Sequence, residues 1–179
     1  CRLAASSHRR KLVISDAVFS MDGDVADIRA LVALCERYDA LLMLDDAHGF
    51  GICGPQGRGS LAAAGLTGAN ASPRVLYMGT LSKSAGVAGG FVAGSNTLIE
   101  WLLQRTRSYT FATAAPGMLA RALQQSLSAM EEGDHLRSQL QARIAQLRAG
   151  LAPVLAITGW QLLPSNTPIQ ALVIGNNSK

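Results

Sequence analysis

The chain has 179 residues, of which 49% are hydrophobic and 16% charged, and its net charge is +4. This length is enough for one ordinary domain with a sizeable core. The mild positive charge and an aromatic content of 5% argue against a nucleic-acid-binding protein. No apolar run approaches the length of a membrane span, no signal peptide is visible and the three cysteines form no C-x-x-C pair. These features predict a cytoplasmic protein with free thiols that does not act in a membrane.

The first half of the chain alternates between strand and helix patterns. A β-branched run predicts a strand over residues 11–19, and apolar spacing of three and four predicts a helix over 27–38. Further apolar runs predict strands over 40–44, 75–78 and 91–94. Continuous apolar strands separated by a helix and loops predict an α/β fold, with a mainly parallel sheet flanked by helices.

The second half is mostly helical. The apolar spacing predicts helices over 98–107, 117–130 and 134 to about 151, with Pro153 just past the end of the last one. Two short strands are predicted to follow it, over 160–163 and 169–174.

Three parts of the chain follow from this pattern. They are the C-terminal portion of a large domain over residues 1–133, a linking helix over 134–152 and the beginning of a small C-terminal α+β domain over 153–179.

Two acidic residues and a histidine follow the second predicted strand, at Asp45, Asp46 and His48. Ligands of open α/β sheets lie beyond the carboxyl ends of the strands. Neighbouring strand residues point to opposite faces, so one carboxylate is expected to line a cleft while the other caps or pairs. A polar turn is the alternative interpretation. A metal site is less favoured, because no third ligand is obvious nearby.

Lys83 lies just after the third strand, in the run Gly-Thr-Leu-Ser-Lys over 79–83, before a glycine-rich segment. A lysine at the end of a buried strand is costly unless it has a task, and a desolvated amine is a nucleophile that can form a Schiff base. A solvated loop lysine is the alternative. A phosphate-binding P-loop is weaker, because its G-x-x-x-x-G-K-[ST] spacing is absent.

Together the two stretches supply what pyridoxal phosphate (PLP) requires from a protein. The cofactor needs a lysine for its aldehyde, a carboxylate for its ring nitrogen, a donor for its phenolic oxygen and hydroxyls for its phosphate. Lys83, Asp45, His48 and Thr80 can fill these roles from two strand ends.

Several motifs also resemble a known family. The chain is similar to the PLP-dependent α-oxoamine synthases of fold type I, and the likeness covers nearly its whole length. Within that family, the runs over 45–51 and 86–94 favour the biotin-pathway type. The runs that carry the resemblance are residues 18–24 (VFSMDGD), 45–51 (DDAHGFG), 57–60 (GRGS), 79–83 (GTLSK) and 86–94 (GVAGGFVAG).

The resemblance implies a role for each matching residue. Lys83 would be the Schiff-base lysine and the acid and base at the substrate α-carbon, and Asp45 would face the pyridine nitrogen. His48 and Ser20 would contact the cofactor, with His48 at its phenolic oxygen, and Thr80 would bind its phosphate.

The resemblance also implies substrates and an assembly. The reaction would be a decarboxylative condensation of L-alanine with pimeloyl-CoA or a pimeloyl-carrier protein. The family forms homodimers, in which a hydroxyl from residues 109–113 would reach the partner's phosphate. A sister synthase that uses glycine, a sphingoid-type palmitoyltransferase and a non-catalytic remnant remain alternatives.

Three family features have no counterpart in this sequence. They are an upstream glycine-containing phosphate-binding turn, an upstream histidine that stacks on the cofactor and an arginine near the C-terminus that binds the substrate carboxylate. We therefore expect an internal fragment of a longer enzyme, which on its own binds PLP weakly and turns over little.

Overall fold

A four-stranded sheet forms the centre of the computed structural model, which describes residues 2–175. Its strands are β1 (Lys11–Asp16), β2 (Ala40–Asp45), β3 (Val75–Thr80) and β4 (Gly90–Ala93), in that spatial order. The first three are parallel, and β4 runs antiparallel to β3. The predicted mainly parallel sheet is therefore confirmed.

Helices surround and follow the sheet. They are α1 (Arg2–Ala5), α2 (Ile28–Arg37), α3 (Ser60–Ala63), α4 (Asn96–Arg105), α5 (Arg107–Thr110), α6 (Gly117–Glu131) and α7 (Asp134–Thr158). A second, antiparallel sheet pairs β5 (Gln161–Leu162) with β6 (Leu172–Val173). Within residues 2–175, no helix is both long and apolar enough to cross a membrane.

The core lies between α2 and the middle of the sheet. Leu42 and Leu44 of β2 are fully buried, and they belong to one apolar cluster with Ile28 and Val32 of α2. Asp27 caps this helix, because its Oδ1 accepts a hydrogen bond from the backbone N–H of Ala30 at 3.0 Å. The apolar face of α2 is thus held against the strand that leads to the predicted site.

The predicted end of the long helix is wrong. α7 continues through Pro153 to Thr158, and Gly159 follows it in the left-handed conformation (φ 70°). A proline inside a helix removes one backbone donor, whereas a left-handed glycine ends the hydrogen-bond ladder. The signal that ends α7 is therefore Gly159.

Other predicted boundaries also differ from the structure. β1 ends at Asp16 rather than Phe19, because a turn closes after it with a hydrogen bond of 2.9 Å from Phe19 N to the carbonyl of Asp24. The helix predicted over 98–107 is split at Thr106, whose backbone is extended. The two C-terminal strands have only two residues each.

Gly23 lies in the turn after β1, at the contact with the C-terminal segment. Its φ is +74°, and its carbonyl accepts hydrogen bonds from the hydroxyls of Ser165 (2.7 Å) and Thr167 (3.2 Å). A Cβ at position 23 would lie 2.5 Å from the carbonyl oxygen of Ile169. This turn therefore has no room for a side chain.

We expect Gly23→Ala to destabilise the protein more than Gly68→Ala. Both glycines have a positive φ, but a Cβ at Gly68 would meet no atom within 4 Å. Backbone strain is thus common to both variants, and the clash with Ile169 adds about 1–3 kcal/mol to the first. Chemical denaturation of the two variants measures the difference, and equal losses would contradict the proposed close contact.

Candidate functional site

The carboxyl ends of β2 and β3 bring two of the predicted site segments together. Asp45 is paired in register with Met78, and the N–H of Asp46 donates to the carbonyl of Met78 at 2.8 Å. The segment after β1 joins the same edge, because the N–H of Ala17 donates to the carbonyl of Asp45 at 2.7 Å. These backbone hydrogen bonds thus fix the relative positions of the three segments that carry the predicted site residues.

Lys83 and His48 are in direct contact, although they are 35 residues apart in sequence. The distance between Lys83 Nζ and His48 Nε2 is 2.7 Å. The ammonium group can donate this hydrogen bond when Nε2 carries no proton. A flexible lysine is thereby held next to a ring nitrogen that can accept or return a proton.

Of the two environments considered for Lys83, the structure shows the solvated loop and not the desolvated one. The Lys83 side chain is exposed, in a bend that begins after β3 ends at Thr80. The N–H of Gly86 donates to the Lys83 carbonyl at 3.0 Å, and this closes the turn. Burial therefore does not account for a special lysine here, and the contact with His48 is the feature that distinguishes it.

Asp45 and Asp46 have different environments, as the alternation of strand residues predicts. Asp45 is partly exposed at the end of β2, and its Oδ1 accepts a hydrogen bond from the N–H of Ala47 at 2.9 Å. Asp46 is fully buried. Of the two, Asp45 is the carboxylate that a bound molecule could reach.

The buried carboxylate of Asp46 is held by three donors. It accepts from the backbone N–H of Ser60 at 2.7 Å, from the Ser60 hydroxyl at 2.6 Å and from the Tyr77 hydroxyl at 2.6 Å. Burial, followed by the Asp46 charge, raises the pKa of Tyr77, so the phenol stays a donor. Sequence analysis missed this network, although Ser60 in the run over 57–60 and a tyrosine inside β3 were signals of it.

Hydroxyl groups cluster at the end of β3. Thr80 Oγ1 lies 2.8 Å from Ser82 Oγ, and it also donates to the carbonyl of Gly89 at 3.3 Å. The N–H of Ser82 donates to Thr80 Oγ1 at 3.3 Å. Ser82 thus places a second hydroxyl beside Thr80, the predicted phosphate ligand. Sequence analysis did not single out Ser82.

Ser20 is less closely connected to these residues. It is exposed in the turn that follows β1. Within residues 2–175 it forms no hydrogen bond to Lys83, His48, Asp45 or Thr80. The structure thus brings Lys83 and His48 into contact, places Asp45 and Thr80 at neighbouring strand ends and leaves Ser20 on the next segment along the same edge.

Comparisons with known proteins point to one family. The profile of the aminotransferase class I and II family matches residues 2–179. A relative from Delftia acidovorans is 75% identical over 177 residues, and one from Paracidovorax citrulli is 73% identical over 177 residues. Both are called 8-amino-7-oxononanoate synthase. The alignments cover 99% of this chain but 44% and 43% of the relatives, so the chain spans less than half of their length.

Solved structures show the same fold. A serine palmitoyltransferase variant from S. paucimobilis with a bound PLP–myriocin aldimine matches with a TM-score of 0.85 and 28% identity, over 98% of this chain and 44% of that one. An 8-amino-7-oxononanoate synthase from Francisella tularensis matches with a TM-score of 0.77 and 24% identity, over 98% of this chain and 50% of that one.

Proposed function

Because this chain belongs to the aminotransferase class I and II family, we propose that it forms the PLP-binding part of an 8-amino-7-oxononanoate synthase. Such an enzyme condenses L-alanine with a pimeloyl thioester in biotin biosynthesis, with loss of carbon dioxide. Identities of 75% and 73% to two synthases of that name support the proposal. The structural observation that carries it is the contact of 2.7 Å between Lys83 and His48, beside the strand end that bears Asp45.

The residues at these strand ends fit PLP by their chemistry. An aldehyde requires an accessible amine, and the Lys83 amine is exposed. A pyridine nitrogen requires a carboxylate, and Asp45 is partly exposed with one oxygen fixed by Ala47. A phosphate requires donors, and Thr80 and Ser82 offer two hydroxyls at the end of β3. When bound, PLP supplies an electron-withdrawing ring that stabilises negative charge at the α-carbon of an amino acid.

Each residue then has a defined task in the reaction. Lys83 would hold the cofactor aldehyde and then carry the proton of the substrate α-carbon at its Nζ. His48 would orient that amine through Nε2 and donate to the phenolic oxygen of the cofactor. Asp45 would keep the ring nitrogen protonated. Thr80 would bind the phosphate, and Ser20 would contact the cofactor from the turn after β1.

The division of the chain and its assembly belong to the same proposal. Residues 1–133 would be part of the PLP-binding domain, 134–152 a linking helix and 153–179 the beginning of a small C-terminal domain. The separate β5–β6 sheet supports the last part, and α7 extends the link to Thr158. The enzyme would act as a homodimer, with residues 109–113 directed to the partner's phosphate; Tyr109 in that stretch is exposed.

A sister synthase is the second candidate. The match to serine palmitoyltransferase, with a TM-score of 0.85, supports a related condensation of another amino acid with another acyl thioester. Its identity to this chain is 28%, against 75% for the Delftia acidovorans synthase, and this difference favours alanine and a pimeloyl donor.

An assay with a hybrid enzyme separates the candidates. The hybrid enzyme carries this chain in place of the matching segment of the Delftia acidovorans relative. We expect kcat/KM to be at least about tenfold higher for alanine with pimeloyl-CoA or pimeloyl-carrier protein than for other pairs, because the site must discriminate by small side-chain differences. The competing pairs combine glycine or serine with acetyl, succinyl or palmitoyl donors. Preference for one of them would support the sister synthase, and no product from any pair would support a non-catalytic remnant.

A further inference from the structure

The turn that carries His48 is built around Asp46. The carbonyl of Asp46 accepts hydrogen bonds from the N–H groups of Gly49 (3.1 Å) and Phe50 (2.9 Å). These two hydrogen bonds close a turn that contains His48. The Asp46 side chain is fully buried. A buried carboxylate is costly unless hydrogen bonds compensate for lost water, and the three donors from Ser60 and Tyr77 do so.

The Tyr77 hydroxyl connects this turn to the strand that leads to Lys83. Tyr77 lies in the middle of β3, which ends at Thr80, and its hydroxyl donates to Asp46 Oδ2 at 2.6 Å. Asp46 therefore belongs to the turn that carries His48, and its carboxylate binds the hydroxyl of Tyr77 on the strand that leads to Lys83. A shift of either segment would stretch this hydrogen bond.

The space around the carboxylate is closed by glycines. A Cβ at Gly49 would overlap Asp46 Oδ1 and the Ser60 hydroxyl, and a Cβ at Gly59 would overlap the Tyr77 hydroxyl and Asp46 Oδ2. Gly59 also has a φ of +91°, which disfavours any side chain. The backbone of Gly49 and the backbone of Gly59 thus pack directly against the Asp46 carboxylate, which has no room to move.

Aromatic packing forms a second, independent link between the same segments. Phe50 from the turn packs edge-to-face on Phe91 of β4, with ring centroids 4.9 Å apart. The ring of Tyr77 lies 5.9 Å from the ring of Phe91. Removal of only the Tyr77 hydroxyl leaves all three rings in place, so the hydrogen bond can be tested without loss of packing.

We propose that Asp46 is a positioning residue for the Lys83–His48 pair. Through Tyr77 and Ser60, its buried carboxylate holds the turn with His48 in register with the end of β3, so that Nε2 meets Nζ. The catalytic role of the Lys83–His48 pair rests on the proposed function. The position of the pair does not, because the contact is present in the protein without cofactor.

The test uses Tyr77→Phe and the histidine signals of the cofactor-free chain. The sequence has three histidines, His8, His48 and His135, so their Cε1–Hε1 signals in NMR spectra are readily assigned. We expect the His48 signal to shift or broaden, while the signals of the exposed His8 and His135 stay unchanged. Tyr38→Phe removes a hydroxyl from the tyrosine at the C-terminal end of α2 and is the matched control.

A second readout follows the reactivity of Lys83. The chain has three lysines, Lys11, Lys83 and Lys179, and mass spectrometry can measure how fast PLP with borohydride labels each of them. We expect Tyr77→Phe to slow the labelling of Lys83 by about tenfold, because small displacements of a reacting group cost large factors in rate. Labelling of Lys11 should not change.

Asp46→Asn serves as the second variant, because it keeps the size of the side chain but removes the charge. It should change the same His48 signal and the same labelling rate as Tyr77→Phe. If either variant only lowers the denaturation midpoint and leaves the His48 signal or the Lys83 rate unchanged, the proposal is overturned. If wild-type Lys83 is labelled no faster than Lys11 in the hybrid enzyme, the proposed function fails, and the His48 signal then decides whether Asp46 positions the pair.

Discussion

Lys83→Ala is expected to abolish both the covalent labelling of the site by PLP and the activity of the hybrid enzyme. The reason is that the Lys83 amine is the group that would hold the aldehyde and carry the α-proton, and it is one of three lysines in the sequence. Loss of a nucleophile that also acts as a base should lower kcat by at least about 10⁴-fold. Absorbance spectra and steady-state kinetics measure the two effects.

Two further variants show whether the amine itself is required. Lys83→Arg keeps the positive charge, but a guanidinium group stays protonated and is not a nucleophile, so this variant should be as inactive as Lys83→Ala. Lys11→Ala is the control, because Lys11 Nζ donates to the carbonyl of Tyr38 at 3.2 Å, at the start of β1. Substantial turnover in Lys83→Arg would show that charge alone matters and would refute the assigned role.

Asp45→Asn is expected to lower kcat by about 10²–10³-fold while Lys83 remains labelled by PLP. A carboxylate can keep a pyridine nitrogen protonated, whereas an amide cannot, so the ring would withdraw fewer electrons from the substrate. The hydrogen bond from the Ala47 N–H can be accepted by the amide oxygen, so the turn is retained. Labelling and turnover, measured on the same preparation, separate cofactor attachment from catalysis.

Asp16→Asn is the matched control for this prediction. Asp16 ends β1 and is paired in register with Asp45, so it is the same residue type at the corresponding position of the neighbouring strand. We expect its turnover to stay within about threefold of wild type, as for a substitution outside the reacting groups. Equal losses in both variants would mean that the negative charge of this edge, and not a specific contact of Asp45, supports activity.

The sheet could be predicted because each of its strands is marked by an apolar run within the strand itself. Apolar runs mark β1, β2 and β3, and the spacing of Ile28 and Val32 marks the buried face of α2. The end of α7 was missed because proline and glycine are both stop signals, and only the tertiary structure shows that the helix tolerates Pro153. The end of β1 was missed because the turn that follows it is closed by a hydrogen bond between Phe19 and Asp24, which no apolar run indicates.

The site could be predicted in part. The rule that ligands lie at the carboxyl ends of parallel strands places Lys83 and His48 at one edge, and the structure brings them into contact. The burial of Asp46 could not be predicted, because it depends on how the loop with Ser60 folds back onto the end of β2. Such long-range loop packing leaves no periodic signal in the sequence.

The most direct measurement is a crystal structure of the hybrid enzyme with PLP. The proposed site requires electron density that joins the cofactor to Lys83 Nζ, with the ring nitrogen within about 3 Å of the Asp45 carboxylate. PLP attached to another lysine, or a ring nitrogen that faces away from Asp45, would contradict the central claim that these two residues hold opposite ends of the same ring.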